Sequence, residues 1–299
     1  MPDSDIPLPF AARTQRERVE PRLPLELEQT IFVLTAYVDP LSVPILMLVA
    51  WRVKDWVERL QYRVILFSGG LAGLDGERMY PHEDDDSFSR LLSLSPSLLR
   101  DSVRHLCLCQ LPHHDVEALV TACPNVEDLW GGPERLDAIG ALPLKRLHAS
   151  LVPLFFPKPI EFQHPLFSRL THLEIFDRQV SVELASWSGL AVLPHLTHLA
   201  FNDEDFLYIF PDILRLCPSL KVLALVLAYH GHPPRVSEEL ARDPRFVWMM
   251  CAQFIQDWHM GALSGADYWT RAEDFVARRR AGLLEYALEK DESGQLDIP

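Results

Sequence analysis

Imidazoles crowd at His113-His114-Asp115 and at His230-Gly231-His232, and thiols pair at Cys107-x-Cys109. These are the side chains that hold zinc or copper, and a thiolate beside a base can act as a nucleophile. Neither spacing completes such a site. Two histidines on a metal-binding helix stand four residues apart and need a third ligand, whereas His113 and His114 are adjacent and run into a helical pattern that Asp115 would cap. His232 is followed by Pro233-Pro234, the mark of a turn. Cys107 and Cys109 alternate on an extended segment with no second pair at zinc-site spacing. Asn202-Asp203-Glu204-Asp205 is acidic enough for calcium but lacks the glycine and distal glutamate of a calcium loop. Carboxylates at that point suit the positive end of a helix dipole. The glycines between Ser68 and Gly76 lead into Tyr80-Pro81 rather than a helix, unlike a dinucleotide-binding loop. The motifs Gly-x-Ser-x-Gly, Gly-x-x-x-x-Gly-Lys-Ser/Thr and His-Glu-x-x-His are all missing. This pattern reads as a binding protein rather than an enzyme, with no cofactor and no metal.

Composition narrows the partners. Of 299 residues 48% are apolar and 23% charged, enough apolar material for a core. A formal net charge of -14 disfavours nucleic acid and anionic membrane, which require clustered Lys and Arg. The longest basic run, Arg278-Arg279-Arg280, falls inside a helical pattern and reads as a solvated face. The first residues carry Arg13, Arg16, Glu17 and Arg18 without an apolar run, so no signal peptide is expected. The richest apolar stretch, 43–51, falls far short of the roughly 20 residues that span a bilayer. Five cysteines at irregular spacing point to free, buried thiols in a reducing compartment, cytoplasmic or nuclear.

The elements that must carry any site are set by a repeat. A Leu-x-x-Leu-x-Leu-like unit recurs as Val103-Leu106-Leu108, Leu144-Leu147-Ala149, Leu170-Leu173-Ile175, Leu196-Leu199-Phe201 and Leu220-Leu223-Leu225, with a degraded copy at Val126-Leu129. Steps between the middle residues are 23, 18, 26, 26 and 24, against about 20 to 29 for leucine-rich repeats. Helical segments at 115–122 and 205–216 lie between copies and each ends in Cys-Pro, where proline stops the helix. One unit cannot bury its own apolar face, so neighbours must stack. The expected fold is α/β: a leucine-rich-repeat solenoid of short parallel strands over 87–235. A disordered lead (1–21), a small all-helical segment (22–65) and a loop or linker (66–86) precede it. A C-terminal cap (236–288) and a polar tail (289–299) follow. Within the cap, 236–241 reads as a short helix, 245–250 as a strand and 267–288 as a helix.

Residues 23 to 62 resemble an F-box. The resemblance rests on Leu23-Pro24-Leu25-Glu26-Leu27, Ile31-Phe32, Val49-Ala50-Trp51-Arg52-Val53-Lys54-Asp55-Trp56 and Leu60-Gln61-Tyr62. Asp39-Pro40 and Pro44 depart from the pattern by interrupting what is usually a continuous second helix, and Trp51 takes a position that is more often small. The resemblance covers about 40 residues, and F-boxes followed by leucine-rich repeats are a common arrangement. It implies docking on a Skp-type adaptor protein of a cullin-RING ubiquitin ligase, with an unknown protein substrate held by the repeats. Leu23, Pro24, Leu27, Ile31, Val49, Trp56, Leu60 and Tyr62 would divide between a small helical core and the adaptor contact. A bare helical cap for the solenoid, on a scaffold with no ligase link, is the alternative.

Strand alternation then selects a partner surface. The named apolar residues face the core, so Trp130, Arg146, His148, His172, Glu174, Phe176 and His198 share the opposite, concave face. Aromatics and Arg among histidines are the residue types of binding hot spots, and the histidines would make binding sensitive between about pH 5 and 8. Cover of Trp130 and Phe176 by a loop or by the terminal segments is the alternative. The all-apolar set Val222, Ala224 and Val226 implies that the C-terminal cap covers that end of the face.

Overall fold

The computed structural model describes residues 23–67, 85–109, 113–131, 136–178, 187–228 and 234–284. Among the described residues eight strands form one parallel sheet in strict sequence order: β1 (Val64–Phe67), β2 (His105–Leu108), β3 (Asp128–Trp130), β4 (Arg146–Ala149), β5 (His172–Ile175), β6 (His198–Phe201), β7 (Val222–Leu227) and β8 (Phe246–Met250). The middle leucine of each repeat lies in one cross-strand row, Leu106, Leu129, Leu147, Leu173, Leu199 and Leu223. Ile65 and Phe246 extend that row at its two ends. All eight are buried, which pins the register because a one-residue slip would turn every one of them to the other face. Between strands the main chain keeps the same ladder: Thr171 N–H donates to Lys145 O, Thr197 to Thr171 and Lys221 to Thr197.

The first three helices, α1 (Leu25–Val38), α2 (Val43–Leu46) and α3 (Trp51–Gln61), pack on one another. The helices that follow, α4 (Asp85–Leu92), α5 (Pro96–Ser102), α6 (His113–Ala122), α7 (Leu136–Ile139), α8 (Leu151–Phe155), α9 (Phe210–Leu216) and α10 (Glu238–Arg242), pack into the core that holds the leucine row. The prolines act as the sequence implies: α6 stops before Cys123-Pro124 and α9 before Cys217-Pro218, with both thiols buried. One start depends on a distant residue. The Asp177 carboxylate, carried beyond β5, accepts Leu151 N–H at 2.6 Å and Val152 N–H at 3.0 Å, filling the donors that open α8.

Several local expectations need correction. Leu66 and Phe67 belong to β1, so the sheet begins before the segment read as a linker ends; a four-residue strand between two polar stretches carries little periodicity. Asp115 sits in the first turn of α6 rather than capping it. Ser42 directs its hydroxyl back to Asp39 O at 2.7 Å instead of capping α2. The helix expected over 205–216 is a 3-10 helix, Glu204–Ile209, followed by α9, because Pro211 needs the first turn of a new helix. The glycines of 68–76 and His230 to His232 lie outside the described residues.

Two further helices cross the opposite face of the sheet: α11 (Phe254–Ser264) and α12 (Tyr268–Arg280). Gly265 ends α11 in the left-handed conformation, φ 80°, which its missing Cβ permits. Asp267 opens α12 with a capping box, accepting Thr270 N–H while Asp267 N–H donates to the Thr270 hydroxyl. Tyr268, Trp269, Ala272, Phe275 and Val276 form one helical face against Ala200, Val222, Ala224, Val226, Val247 and Met249. Arg279 is not on a solvated face. Its guanidinium is buried and donates to the carbonyls of Ala241, Asp243 and Phe246, tying α12 to the loop before β8.

Candidate functional site

The N-terminal helices leave apolar surface without a partner. On α1, Leu27, Ile31, Leu34 and Val38 recur at helical spacing and all face solvent, with Leu27 53% and Ile31 50% exposed. Ile45, Leu48 (85%), Val49 and Trp51 (80%) continue the exposure through α2 and the start of α3. The opposite side packs: Ala36, Val43, Val53 and Val57 are buried, with Phe32, Trp56 and Leu60 against them. Arg52 on α3 holds Glu28 on α1 through two hydrogen bonds of 2.6 and 3.1 Å, fixing the two helices together. Leu23, Pro24, Leu27, Ile31 and Val49 thus lie outward, while Trp56 and Leu60 pack inside and Tyr62 packs against the main core. No single helix among the described residues is long and apolar enough to cross a membrane. The pair 25–38 and 40–46 is so only jointly, and it bends by 116° at its break.

On the sheet face the register builds two rows. One runs His105, Asp128, Arg146, His172, His198 and Val222; the other Cys107, Trp130, His148, Glu174, Ala200 and Ala224. The expectation that this face greets a partner gives way to a covered polar layer, because α11 and α12 lie on it. Trp258 Nε1 donates to Asp128 Oδ1 at 3.0 Å, Arg146 meets Asp267 at 2.6 Å, and His198 Nε2 meets Glu273 at 2.9 Å. Trp130, His148, Glu174 and His198 are buried; Arg146, His172 and Phe176 are partly so.

Burial forces the titratable groups to satisfy one another. His148 Nδ1 lies 2.5 Å from Glu174 Oε2, and its Nε2 lies 3.5 Å from Asp128 Oδ1, whose other oxygen meets His105 at 3.1 Å. Asn202 Nδ2 donates to the remaining Glu174 oxygen at 2.9 Å. Burial opposes charge on His148, but the Asp128 and Glu174 carboxylates beside it override that and raise its pKa to about 9. Burial likewise works against the Asp128 carboxylate, and His105 and His148 override it to hold Asp128 well below the usual range. His172 and His198 stack at 4.1 Å between centroids and stay neutral. Burial pushes His172 down to about 2, with its neighbours His198 and Arg146 adding to it, and burial lowers His198 as well. With the Thr197 hydroxyl 2.8 Å from its Nδ1, a neutral His198 that donates from Nε2 to Glu273 satisfies both contacts.

Beside the covered face a groove of about 1840 Å³ opens at the carboxyl ends of β5 to β7. Trp130, Phe176 and Phe254 reach it from the sheet side, with Trp130 5.0 Å from Phe176 and 6.1 Å from Phe254 between ring centroids. Tyr208, Arg178, Arg215 and Arg235 line it with Asp203, Glu204 and Asp205. The Asp203 side chain accepts Asp205 N–H at 3.0 Å, so the acidic run opens the 3-10 helix at Glu204. The contribution of α11 was open to sequence reading: Phe254, Trp258 and Ala262 recur at i, i+4 and i+8. Asp267-x-x-Thr270 is likewise a capping pattern before the aromatic pair Tyr268-Trp269. Among the described residues no group of three or more His, Cys, Asp and Glu side chains is placed to hold a metal ion.

Comparison of the chain with known protein families, characterised proteins and solved structures finds no match. The class defined by the coordinates is therefore an α/β protein with one all-parallel, sequentially ordered sheet, and its function rests on its own surfaces.

Proposed function

We propose that this chain is the substrate-recruiting subunit of an F-box-type cullin-RING ubiquitin ligase. In this reading the N-terminal helices dock on a Skp-type adaptor, and a leucine-rich-repeat solenoid carries the protein to be modified. The observation that carries it is the outward apolar stripe of α1, Leu27, Ile31, Leu34 and Val38, continued by Leu48, Val49 and Trp51. A soluble chain does not leave this many large apolar side chains in water on one small segment unless another surface covers them. Their position also agrees with the F-box resemblance, in which Leu23, Pro24, Leu27 and Ile31 open the adaptor contact. The repeat spacing and the row of stacked leucines support the solenoid reading. Since α11 and α12 occupy the sheet face, the substrate is held by the groove at the strand ends, through Phe176, Tyr208 and Arg178.

The test is co-precipitation of a Skp-type adaptor with the full chain, comparing wild type, Leu27→Asp and Ile31→Asp. Both positions are exposed, so the variants keep the circular dichroism and melting point of wild type while adaptor capture is lost. Capture that survives both substitutions, or a wild-type chain that captures no adaptor, overturns the ligase reading in favour of a scaffold.

A further inference from the structure

Cys107 is the third residue of β2, and Cys109 follows where the strand turns away. Their i, i+2 spacing sends both side chains to the same face of the sheet. The two Sγ atoms lie 3.5 Å apart, in van der Waals contact. Their surroundings differ. Cys107 is fully buried among Trp130 and Trp258, whereas Cys109 is partly open to solvent. The two sulfurs share a hydrogen bond, and that bond, with the Trp130 side chain as a further donor, lowers the Cys109 pKa despite partial burial. The same bond raises the Cys107 thiol, and burial and the nearby Asp128 carboxylate raise it further. The other three cysteines stand apart: burial pushes Cys123 and Cys251 up to about 12 and Cys217 up to about 11.

We propose that Cys109 and Cys107 form a peroxide-reactive, reducible dithiol, with Cys109 as the attacking thiolate and Cys107 as the resolving thiol. The Cys109 thiolate attacks one oxygen of a hydroperoxide. The O–O bond breaks, the leaving oxygen departs as hydroxide (alkoxide from an organic peroxide) and takes a proton from water, and Cys109 becomes a sulfenic acid. The Cys107 sulfur then attacks the Cys109 sulfur. Its proton leaves with the departing hydroxide as water, and the disulfide forms. A cellular dithiol or two glutathione molecules reverse the oxidation by exchange, being oxidised themselves. Closing the sulfurs to about 2.05 Å requires a movement of roughly 1.5 Å, which the turn at Cys109 can supply more readily than a residue inside the ladder. Burial sets the order of events: peroxide reaches Cys109 and not Cys107.

The experiment treats the folded, reduced full chain with hydrogen peroxide, then denatures it, alkylates it with iodoacetamide and weighs it. Wild type takes up three alkyl groups instead of the five its cysteines allow, and dithiothreitol restores all five. Before alkylation its mass falls by about 2 Da, the two hydrogens removed. The tryptic fragment 105–135 also contains Cys123, so fragmentation must place the bond between Cys107 and Cys109. C107S stops at sulfenic or sulfinic acid on Cys109, and C109S keeps its remaining thiols. Five alkyl groups after peroxide, a bond that includes Cys123, or oxidation of wild-type Cys109 to sulfinic acid without a disulfide overturns the proposal; these readouts need no variant to fold.

Discussion

His148 Nδ1 sits 2.5 Å from Glu174 Oε2 with both side chains buried between the sheet and the C-terminal helices. The imidazole therefore belongs to the folded chain as a cation, whereas the stacked pair His172 and His198 belongs to it neutral. These groups make opposite demands on pH. His148 keeps its proton to about pH 9 when folded and to about pH 6.5 when unfolded, so its contribution is complete below about pH 6.5 and is lost as pH rises toward 9. His172 reverses this. Its folded pKa near 2 means that only the unfolded chain takes up the proton below about pH 6.5, so stability falls as pH drops through that value. The melting temperature should therefore peak near about pH 6.5, with a limb on the alkaline side of at most roughly 1.4 kcal/mol per pH unit. His148→Gln should flatten the alkaline limb and leave the acid limb in place. A variant that loses stability between pH 7 and 9 as steeply as wild type would refute the buried imidazolium.

The junction of α11 and α12 has no room. A Cβ on Gly261 would stand 2.6 Å from the Asp267 Cβ and 2.7 Å from its Oδ2, and Asp267 both caps α12 and holds Arg146. Gly261→Ala should therefore destabilise the chain by roughly 1–3 kcal/mol, the range for forced overpacking. Asp267→Ala should remove a cap worth about 1 kcal/mol together with the ion pair. Arg146→Met removes only the ion pair, so its urea midpoint should fall less. Equal losses from Asp267→Ala and Arg146→Met would mean that the cap contributes nothing.

How much of this was legible depends on the range of the interaction. The leucine row was readable because each repeat states its own strand, and six copies give one register: Leu147, Leu173 and Leu199 stand side by side as their spacing implies. The residues of the opposite face, Asp128 through His198, were readable for the same reason. What covers them was not. The Arg146–Asp267 bond joins residues 121 apart and the Asp128–Trp258 bond residues 130 apart, and no periodicity encodes such distances. The cap was expected over Val222, Ala224 and Val226, where the strand is wholly apolar, and cover of Trp130 and Phe176 by a loop or the terminal segments stood only as the alternative to a free face. Polar residues farther along suggested solvent, although they are polar because their partners are the side chains of α11 and α12. Arg279 misled in the same way: three consecutive arginines read as solvated, but the middle one is buried among carbonyls.

Leu173 and Leu199 pair directly across β5 and β6, and each is fully buried. Truncation to Ala removes the packing of a central row that cannot collapse without disturbing both neighbours. Each of Leu173→Ala and Leu199→Ala should cost roughly 2–5 kcal/mol in chemical denaturation. The double variant should cost less or more than the sum, because the two side chains touch one space. A shift below about 1 kcal/mol for either would contradict the close packing of the row.

Arg279 supplies the last contrast. Its guanidinium donates to Asp243 O at 2.7 Å, Phe246 O at 3.0 Å and Ala241 O at 2.5 Å, binding α12 to the approach of β8. Arg280, one residue on, is exposed. Arg279→Ala strands three carbonyls at the edge of the sheet and should cost roughly 1–3 kcal/mol for buried acceptors left without donors. Arg279→Lys keeps the charge but presents a single ammonium where a planar fork spans three acceptors, so it should recover only part of the loss. Arg280→Ala should stay within about 0.5 kcal/mol of wild type. Hydrogen exchange should locate the effect: the amides of Phe246 to Met250 lose protection in Arg279→Ala and keep it in Arg280→Ala. If protection there is unchanged while the chain is destabilised, the arginine acts elsewhere on α12 and the clasp on β8 is not what holds the helix to the sheet.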